Sequence, residues 1–397
     1  MDLHDGTPYW LVRTPPPLAT CPLEADAECD VGVIGAGITG ALVADALVRK
    51  GFSVIVLEKA IPGEGSTAAS TALLQYDLDV PLRELVDEIG TQSARRAFQI
   101  GVEALDSLGA RCAHLGVEFQ RVRSLFLATQ PARIGDLRRE LDARHDAGLR
   151  VEWIACGRLQ REFGVSAPAA ILSLDAAQTD PTALCRALLR RAITGGARLH
   201  APTEVTAIEP MADRRVLITR SGPSVRCGFV VDATGYEAAT RLPNHMVDLD
   251  STWAIATAPI PAGAHRLPGC ILWEDADPYL YARWDGDRLL IGGEDEEFTD
   301  PVARDALIPP KAKRLVEKFA GIVPGVKVEV THAWAGAFAT TPDGLGYIGP
   351  ARGDPRLLYA LGFGGNGITM SSIAADLIVD RIVGRENPDL ELYRLDR

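Results

Sequence analysis

Apolar residues follow two rhythms along this chain. Asp30-Val31-Gly32-Val33-Ile34 and Phe52-Ser53-Val54-Ile55-Val56-Leu57 are short, nearly continuous apolar runs, the pattern of strands buried on both faces. Between them, Ala41 to Lys50 carries Ala, Leu and Val at helical spacing. Residues 81–118 place Leu82, Leu85, Val86 and Ile89, then Ala97, Ile100, Val102, Leu105 and Leu108 at helical intervals, and 131–148 continue in that style. Asp180-Pro181 opens another helix, with proline suited to its first turn, and Gly195-Gly196 stops it. Segments 197–209, 215–219 and 225–232 read as strands. Segment 251–298 reads as antiparallel, with 279–284 and 288–293 flanking Asp285-Gly286-Asp287 as a hairpin. Residues 311–319 form a short amphipathic helix. Residues 357–361 form a strand, 362–367 a glycine-rich turn and 368–383 a helix.

The first strand and helix meet through Gly35-Ala36-Gly37-Ile38-Thr39-Gly40. A glycine triplet alone is an ordinary turn. Here it sits between a strand and a helix, and the next strand ends on Glu58, 18 residues beyond Gly40, with Lys59 beside it. In that context Gly35 permits the tight turn, Gly37 lets the backbone approach a pyrophosphate, and Gly40 lets the helix pack on the strand. The helix N-terminus offers free N–H groups to phosphate, and Glu58 can accept from ribose hydroxyls.

At 397 residues, two domains are expected. Hydrophobic residues at 47% and charged residues at 24% describe a globular protein. A net charge of −12 argues against nucleic acid or an anionic membrane as partner. No apolar run reaches membrane-spanning length. Residues 1–20 lack an apolar core and carry Pro15-Pro16-Pro17, which suggests a flexible or surface-lying leader over 1–29. Seven scattered cysteines, with no Cys-x-x-Cys, fit reduced thiols in the cytoplasm and no metal site.

Gly362-Phe363-Gly364-Gly365-Asn366-Gly367-Ile368-Thr369 repeats the first turn's logic near the other end of the chain. An NAD site needs no such second turn. A flavin does, because charge builds on its pyrimidine edge on reduction, and a helix N-terminus can hold that charge. Asp232-Ala233-Thr234-Gly235 is a third place where small residues at a strand end allow close approach. With Gly65-Ser66-Thr67-Ala68-Ala69-Ser70-Thr71-Ala72 and Thr341-Pro342-Asp343-Gly344 followed by Tyr347-Ile348-Gly349, the chain from 30 to about 390 resembles the D-amino-acid oxidase, glycine oxidase and sarcosine oxidase superfamily. The resemblance implies an α/β fold: a Rossmann-like FAD-binding domain with an inserted mixed antiparallel-sheet and helical substrate domain. It implies that Ser66 and Thr67 lie by the FAD phosphates, Thr71, Ala72 and Leu73 near the flavin, and Val205 against the adenine. Phe363 to Thr369 then line the pyrimidine edge. The expected FAD-binding segments are 30–75, 170–242 and 336–397, and the substrate segments 76–169 and 243–335.

One departure stands out. Amino-acid oxidases of this kind anchor the substrate carboxylate with an Arg shortly before the segment matching Thr341–Gly344. This chain has Ala335-Gly336-Ala337-Phe338-Ala339-Thr340 there, and Phe338 cannot replace a guanidinium fork. Either the substrate lacks that carboxylate or another Arg serves. Tyr279, Tyr281 and Arg283 share a strand face by period-two alternation and are pocket candidates, with Gln75 and His332. The same stretch in sarcosine oxidases carries a flavin-linking Cys that is missing here, so the FAD is expected to be noncovalent. The reading is oxidation of the C–N bond of a small amine or amino acid, with hydride passing to flavin N5 and electrons on to oxygen or another acceptor. The alternatives are a hydroxy-acid dehydrogenase feeding a quinone or protein acceptor, and a flavoprotein that binds without turnover.

Overall fold

The two apolar runs that flank the first glycine turn pair side by side. In the computed structural model, which describes residues 4–14, 17–241, 246–261, 263, 267 and 269–397, Ala27–Ile34 and Val54–Leu57 lie parallel, Val31 opposite Val54. Val31–Ile34 and Val54–Leu57 are buried on both faces, as their unbroken apolar character requires. They form the centre of a nucleotide sheet ordered Tyr347–Ala351, Asp354–Leu361, Ser224–Asp232, Ala27–Ile34, Val54–Leu57 and Arg198–His200. Val205–Pro210 and Arg215–Thr219 extend it through Ser224–Asp232. Helices Ile38–Val48, Pro181–Thr194 and Gly367–Ile382 pack on one another beside it. Asp180 caps the second of these by accepting from the Ala183 N–H.

A ten-stranded roof sheet faces the nucleotide sheet across a cavity. Its main path runs His4–Gly6, Val330–Thr340, Asp248–Thr257, Arg288–Glu296, Leu280–Asp285, Cys270–Glu274, Phe119–Ala128, Ala169–Thr179 and Leu73–Gln75. The expected hairpin closes on the pair Asp285 and Arg288, with Gly286 at φ +60°. The helical stretch from 81 divides at Gly90, φ +82°, into Leu82–Ile89 and Thr91–Leu115. The helix expected over 311–319 extends to Ile308–Ile322. No described helix is long and apolar enough to cross a membrane.

Three features differ from the sequence reading. Leu73–Gln75 and Ala169–Thr179 belong to the roof sheet, so the divide between the two sheets falls before Leu73 and after Thr179 rather than at 75 and 170. Ala169–Thr179 reads Ala-Ala-Ile-Leu-Ser-Leu-Asp-Ala-Ala-Gln-Thr, poor in strand formers, and is held extended by partners on both edges. The proposed boundary at 242/243 lies outside the described residues.

The third difference is the leader. Residues 1–3 and the prolines at 15 and 16 lie outside the described residues. His4–Gly6, however, adds an edge strand to Val330–Thr340, and Tyr9–Arg13 is a short helix with Trp10 fully buried. The Trp10 indole donates to the Ser70 carbonyl at 2.6 Å, and Tyr9 and Arg13 both hold Asp285. One aromatic dipeptide supplies enough apolar area to seat this segment, a signal too short to show as periodicity.

Candidate active site

At the first turn, Gly35 has φ +100°, and a Cβ there would stand 2.5 Å from the Ala233 carbonyl oxygen. That places the first turn directly against Asp232-Ala233-Thr234-Gly235, where Thr234 donates back to Asp232 at 2.6 Å. A Cβ on Gly40 would run into the Gly35 carbonyl, so this glycine serves helix–strand packing. The Glu58 carboxylate accepts from the Ala36 N–H at 2.8 Å and the Ala60 N–H at 2.9 Å, one bond to each oxygen. A further lone pair on each oxygen remains for ribose hydroxyls. Lys59 pairs with Glu237.

The Gly65–Thr71 loop is clamped from the roof by two indoles: Trp10 on the Ser70 carbonyl, and Trp334 on the Ala69 carbonyl at 2.8 Å. Thr67 accepts from the Ile38 N–H at 2.9 Å, and the Ser66 hydroxyl is buried without a partner. At the second turn, Gly362 and Gly364 have positive φ. The Asn366 amide donates to the Asp77 carbonyl at 2.7 Å, the Tyr236 hydroxyl to the Gly364 carbonyl at 3.1 Å, and the Gly365 N–H to Asp79 at 3.2 Å.

A cavity of about 1340 Å³ joins these parts. Gly35, Gly37, Ile38, Thr39, Glu58, Lys59, Ser66, Thr67 and Val205 line one end, with Ala233, Thr234 and Gly235 at its side. Thr71, Ala72, Leu73, Gln75 and the turn from Phe363, Gly364, Gly365 and Asn366 to Gly367 and Ile368 line the other. Tyr279, Tyr281 and Phe338 come down from the roof. A glycine-walled cradle at each end, with an orphaned hydroxyl at Ser66, fits a dinucleotide with a ring at its far end. None of the cysteines lines this cavity.

The roof over the second turn is charged. Asp250 lies opposite Phe338 on the neighbouring strand. Asp295 stands beside Thr252 and Tyr279, and burial pushes its carboxyl up to about 6 despite those hydroxyls. Burial likewise raises Asp79 to about 6, against the pull of the Gly365 N–H, and raises Asp250. Tyr281 is pushed up to about 12 by burial, so it stays a neutral phenol.

Several candidates fall elsewhere. Arg283 shares a face with Tyr279 and Tyr281 but does not line the cavity. It is buried under the Trp10 ring, 5.0 Å from the ring centre, and 3.5 Å from Asp285. The N-terminal helix covers that end of the strand face, so Arg283 is not placed to anchor a substrate. His332 also lies off the cavity, edge-on to Tyr9 at 5.7 Å. Ala36 and Gly40 are behind the first turn, and Thr369 is buried one step behind Ile368. Gln75 reaches the cavity wall but its amide donates to Ser124 at 2.8 Å. Asp79, Asp250, Thr252, Tyr236 and Asp295 were not singled out from the sequence. Asp295 sits in Glu294-Asp295-Glu296-Glu297, a run that reads as a solvated strand end.

The fold and cavity define a two-sheet protein whose cavity, lined by two glycine turns, fits a dinucleotide. Residues 30–381 match the family described as FAD dependent oxidoreductase, and the chain belongs to it. The chain is 25% identical to the glycine oxidase of Geobacillus kaustophilus (strain HTA426), over 93% of this chain and 97% of that one. It is 23% identical to the putative Rieske 2Fe-2S iron-sulfur protein YhfW of Bacillus subtilis (strain 168), over 98% of this chain and 75% of that protein. The crystal structure of the Geobacillus kaustophilus glycine oxidase superposes with a TM-score of 0.77, covering 94% of this chain and 99% of that chain at 24% identity. The protein is therefore an FAD-dependent oxidoreductase.

Proposed function

We propose that the enzyme oxidises the C–N bond of a small amine or amino acid. The supporting observation is the chamber between the second glycine turn and the roof, walled by Tyr279, Tyr281 and Phe338. Bound FAD supplies the acceptor for a hydride from the carbon next to nitrogen and passes two electrons on to dioxygen or another acceptor. The chain's own contribution is placement and water exclusion. The aromatic wall sets the approach of the carbon, and N–H groups of the Gly364–Gly367 turn other than Gly365, which Asp79 holds, would stabilise negative charge on a ring bound there. Oxidation leaves an imine, and water hydrolyses it to a carbonyl compound and a released amine. That none of the cysteines lines the cavity favours noncovalent FAD. Free thiols at all seven cysteines support a reducing, cytoplasmic setting.

The test is anaerobic bleaching of the FAD-loaded protein across amines, amino acids and hydroxy acids. Bleaching by an amine or amino acid supports the reading, and bleaching by hydroxy acids alone overturns it. Peroxide formation in air then separates oxidase from dehydrogenase.

A further inference from the structure

Acids outnumber cations in the described lining of the cavity, even though Glu64, Glu204, Glu274 and Glu296 are paired with Arg186, Arg220, Lys318 and Lys311 from outside it. Among its described lining residues seventeen are Asp or Glu and four are Arg or Lys. Each of those four is paired: Lys59 with Glu237, Arg83 with Glu84, Arg133 with Asp136, and Arg144 with Asp77 and Glu140. The roof strand contributes the uncharged Phe338 to the cavity, and Arg283 is shut behind Trp10. A substrate carboxylate would therefore enter a negative chamber with no unpaired cation among the described lining residues.

Two further observations point to what the chamber does take. Both oxygens of Asp295 are buried and no donor meets them in full hydrogen-bond geometry, although the Thr252 and Tyr279 hydroxyls lie close enough to hold its pKa down. The Thr252 hydroxyl is likewise buried with no partner in full hydrogen-bond geometry. Asp250 is one strand step away, since Ser251 pairs with Glu296 and Asp250 with Phe338. A buried carboxylate with open acceptors, beside an open hydroxyl and a second carboxylate, is a receptor for a cation with N–H donors.

We infer that Asp295, Asp250 and Thr252 form a recognition site for the distal cationic group of a diamine or polyamine with no carboxylate beside its reacting carbon. This rests on the amine-oxidation reading for the chemistry but not for the binding. The distal ammonium or guanidinium would sit against Asp295 and Asp250 in the roof. That would leave the reacting amine over the second glycine turn. Aromatic walls of Tyr279 and Tyr281 match the methylene chain between the two nitrogens.

The experiment uses the FAD-loaded enzyme and two readouts. The first is binding, read as a perturbation of the flavin spectrum. The probe is arcaine, the bis-guanidinium analogue of putrescine, whose permanently protonated guanidinium groups offer no free nitrogen lone pair to assist hydride loss from the adjacent carbons. Arcaine should bind, succinate should not, and D295N and D250N should each weaken arcaine by about tenfold or more. Comparable binding of succinate, or unchanged arcaine binding in both variants that still hold FAD, overturns the site. The second readout is anaerobic bleaching by putrescine, butylamine and glycine. Putrescine should reduce the flavin at far lower concentration than butylamine, and D295N should erase that advantage. If arcaine binds as expected and no amine bleaches the flavin, the cation site stands and the amine-oxidation reading falls. If glycine bleaches it and arcaine does not bind, the cation site falls and the amine-oxidation reading stands.

Discussion

The Asp79 carboxylate accepts a hydrogen bond from the Gly365 N–H at 3.2 Å, so the positive end of the second glycine turn already carries an acid. The N–H should pull the carboxyl pKa down, yet burial outweighs it and the group titrates near 6. Asp79 therefore changes charge within the range where such an enzyme is assayed, next to the flavin's expected edge. Asp79→Asn should raise the flavin midpoint potential at pH 8 by on the order of 30 mV. The two proteins should converge below pH 5, where wild-type Asp79 is itself neutral. Spectroelectrochemical titration against pH reads this, and a pH-independent difference would remove Asp79 from the flavin's surroundings.

Asp295 makes a stability prediction of definite sign. Its folded pKa lies near 6, above the ordinary carboxylate value. Its ionisation therefore weakens the fold as pH rises from about 4 through 6. Asp295→Asn removes that loss. In protein stripped of cofactor, the variant should be more stable than wild type by about 1–3 kcal/mol at pH 8 and no more stable at pH 4. Urea unfolding at the two pH values decides it.

Gly35→Ala asks a side chain to adopt φ +100° and to overlap the Ala233 carbonyl. Strain of about 1–3 kcal/mol at the pyrophosphate turn should lower FAD affinity by roughly tenfold or more. The flavin-to-protein absorbance ratio after dialysis measures it. Retention equal to wild type would mean the turn does not carry the cofactor's phosphates.

Trp10→Ala removes a fully buried indole and the bond to the Ser70 carbonyl. The loss should be about 3–5 kcal/mol, and it should free the Gly65–Thr71 loop, so FAD dissociates faster as well. Calorimetry and a flavin-release time course test the two halves separately. Arg283→Met offers the contrast. It replaces a guanidinium buried beneath that indole, so it should shift the melting temperature and leave the concentration of amine needed for half-maximal bleaching unchanged.

Much of the cofactor site was legible because backbone needs are written locally. Gly35, Gly37 and Gly40 are required within six residues, and Glu58 follows at the tip of the next strand. The second turn, Gly362–Gly367, carried the same kind of record. The roof chemistry was not legible in the same way. Period-two alternation correctly put Tyr279, Tyr281 and Arg283 on one face but could not show that Trp10, 273 residues earlier, covers one end of it. Asp79, Asp250 and Asp295 were scattered acids in a chain with net charge −12.

By itself, then, the sequence determined the parallel core and both glycine turns, and with them the FAD cofactor. Strand, turn and helix formation depend on neighbours a few residues apart. Only the tertiary structure decided which polar side chains lose water together. Burial and mutual repulsion depend on what the fold brings across the cavity, so the acidic roof, the pairing of the described lining Lys and Arg residues and the exclusion of Arg283 arise there.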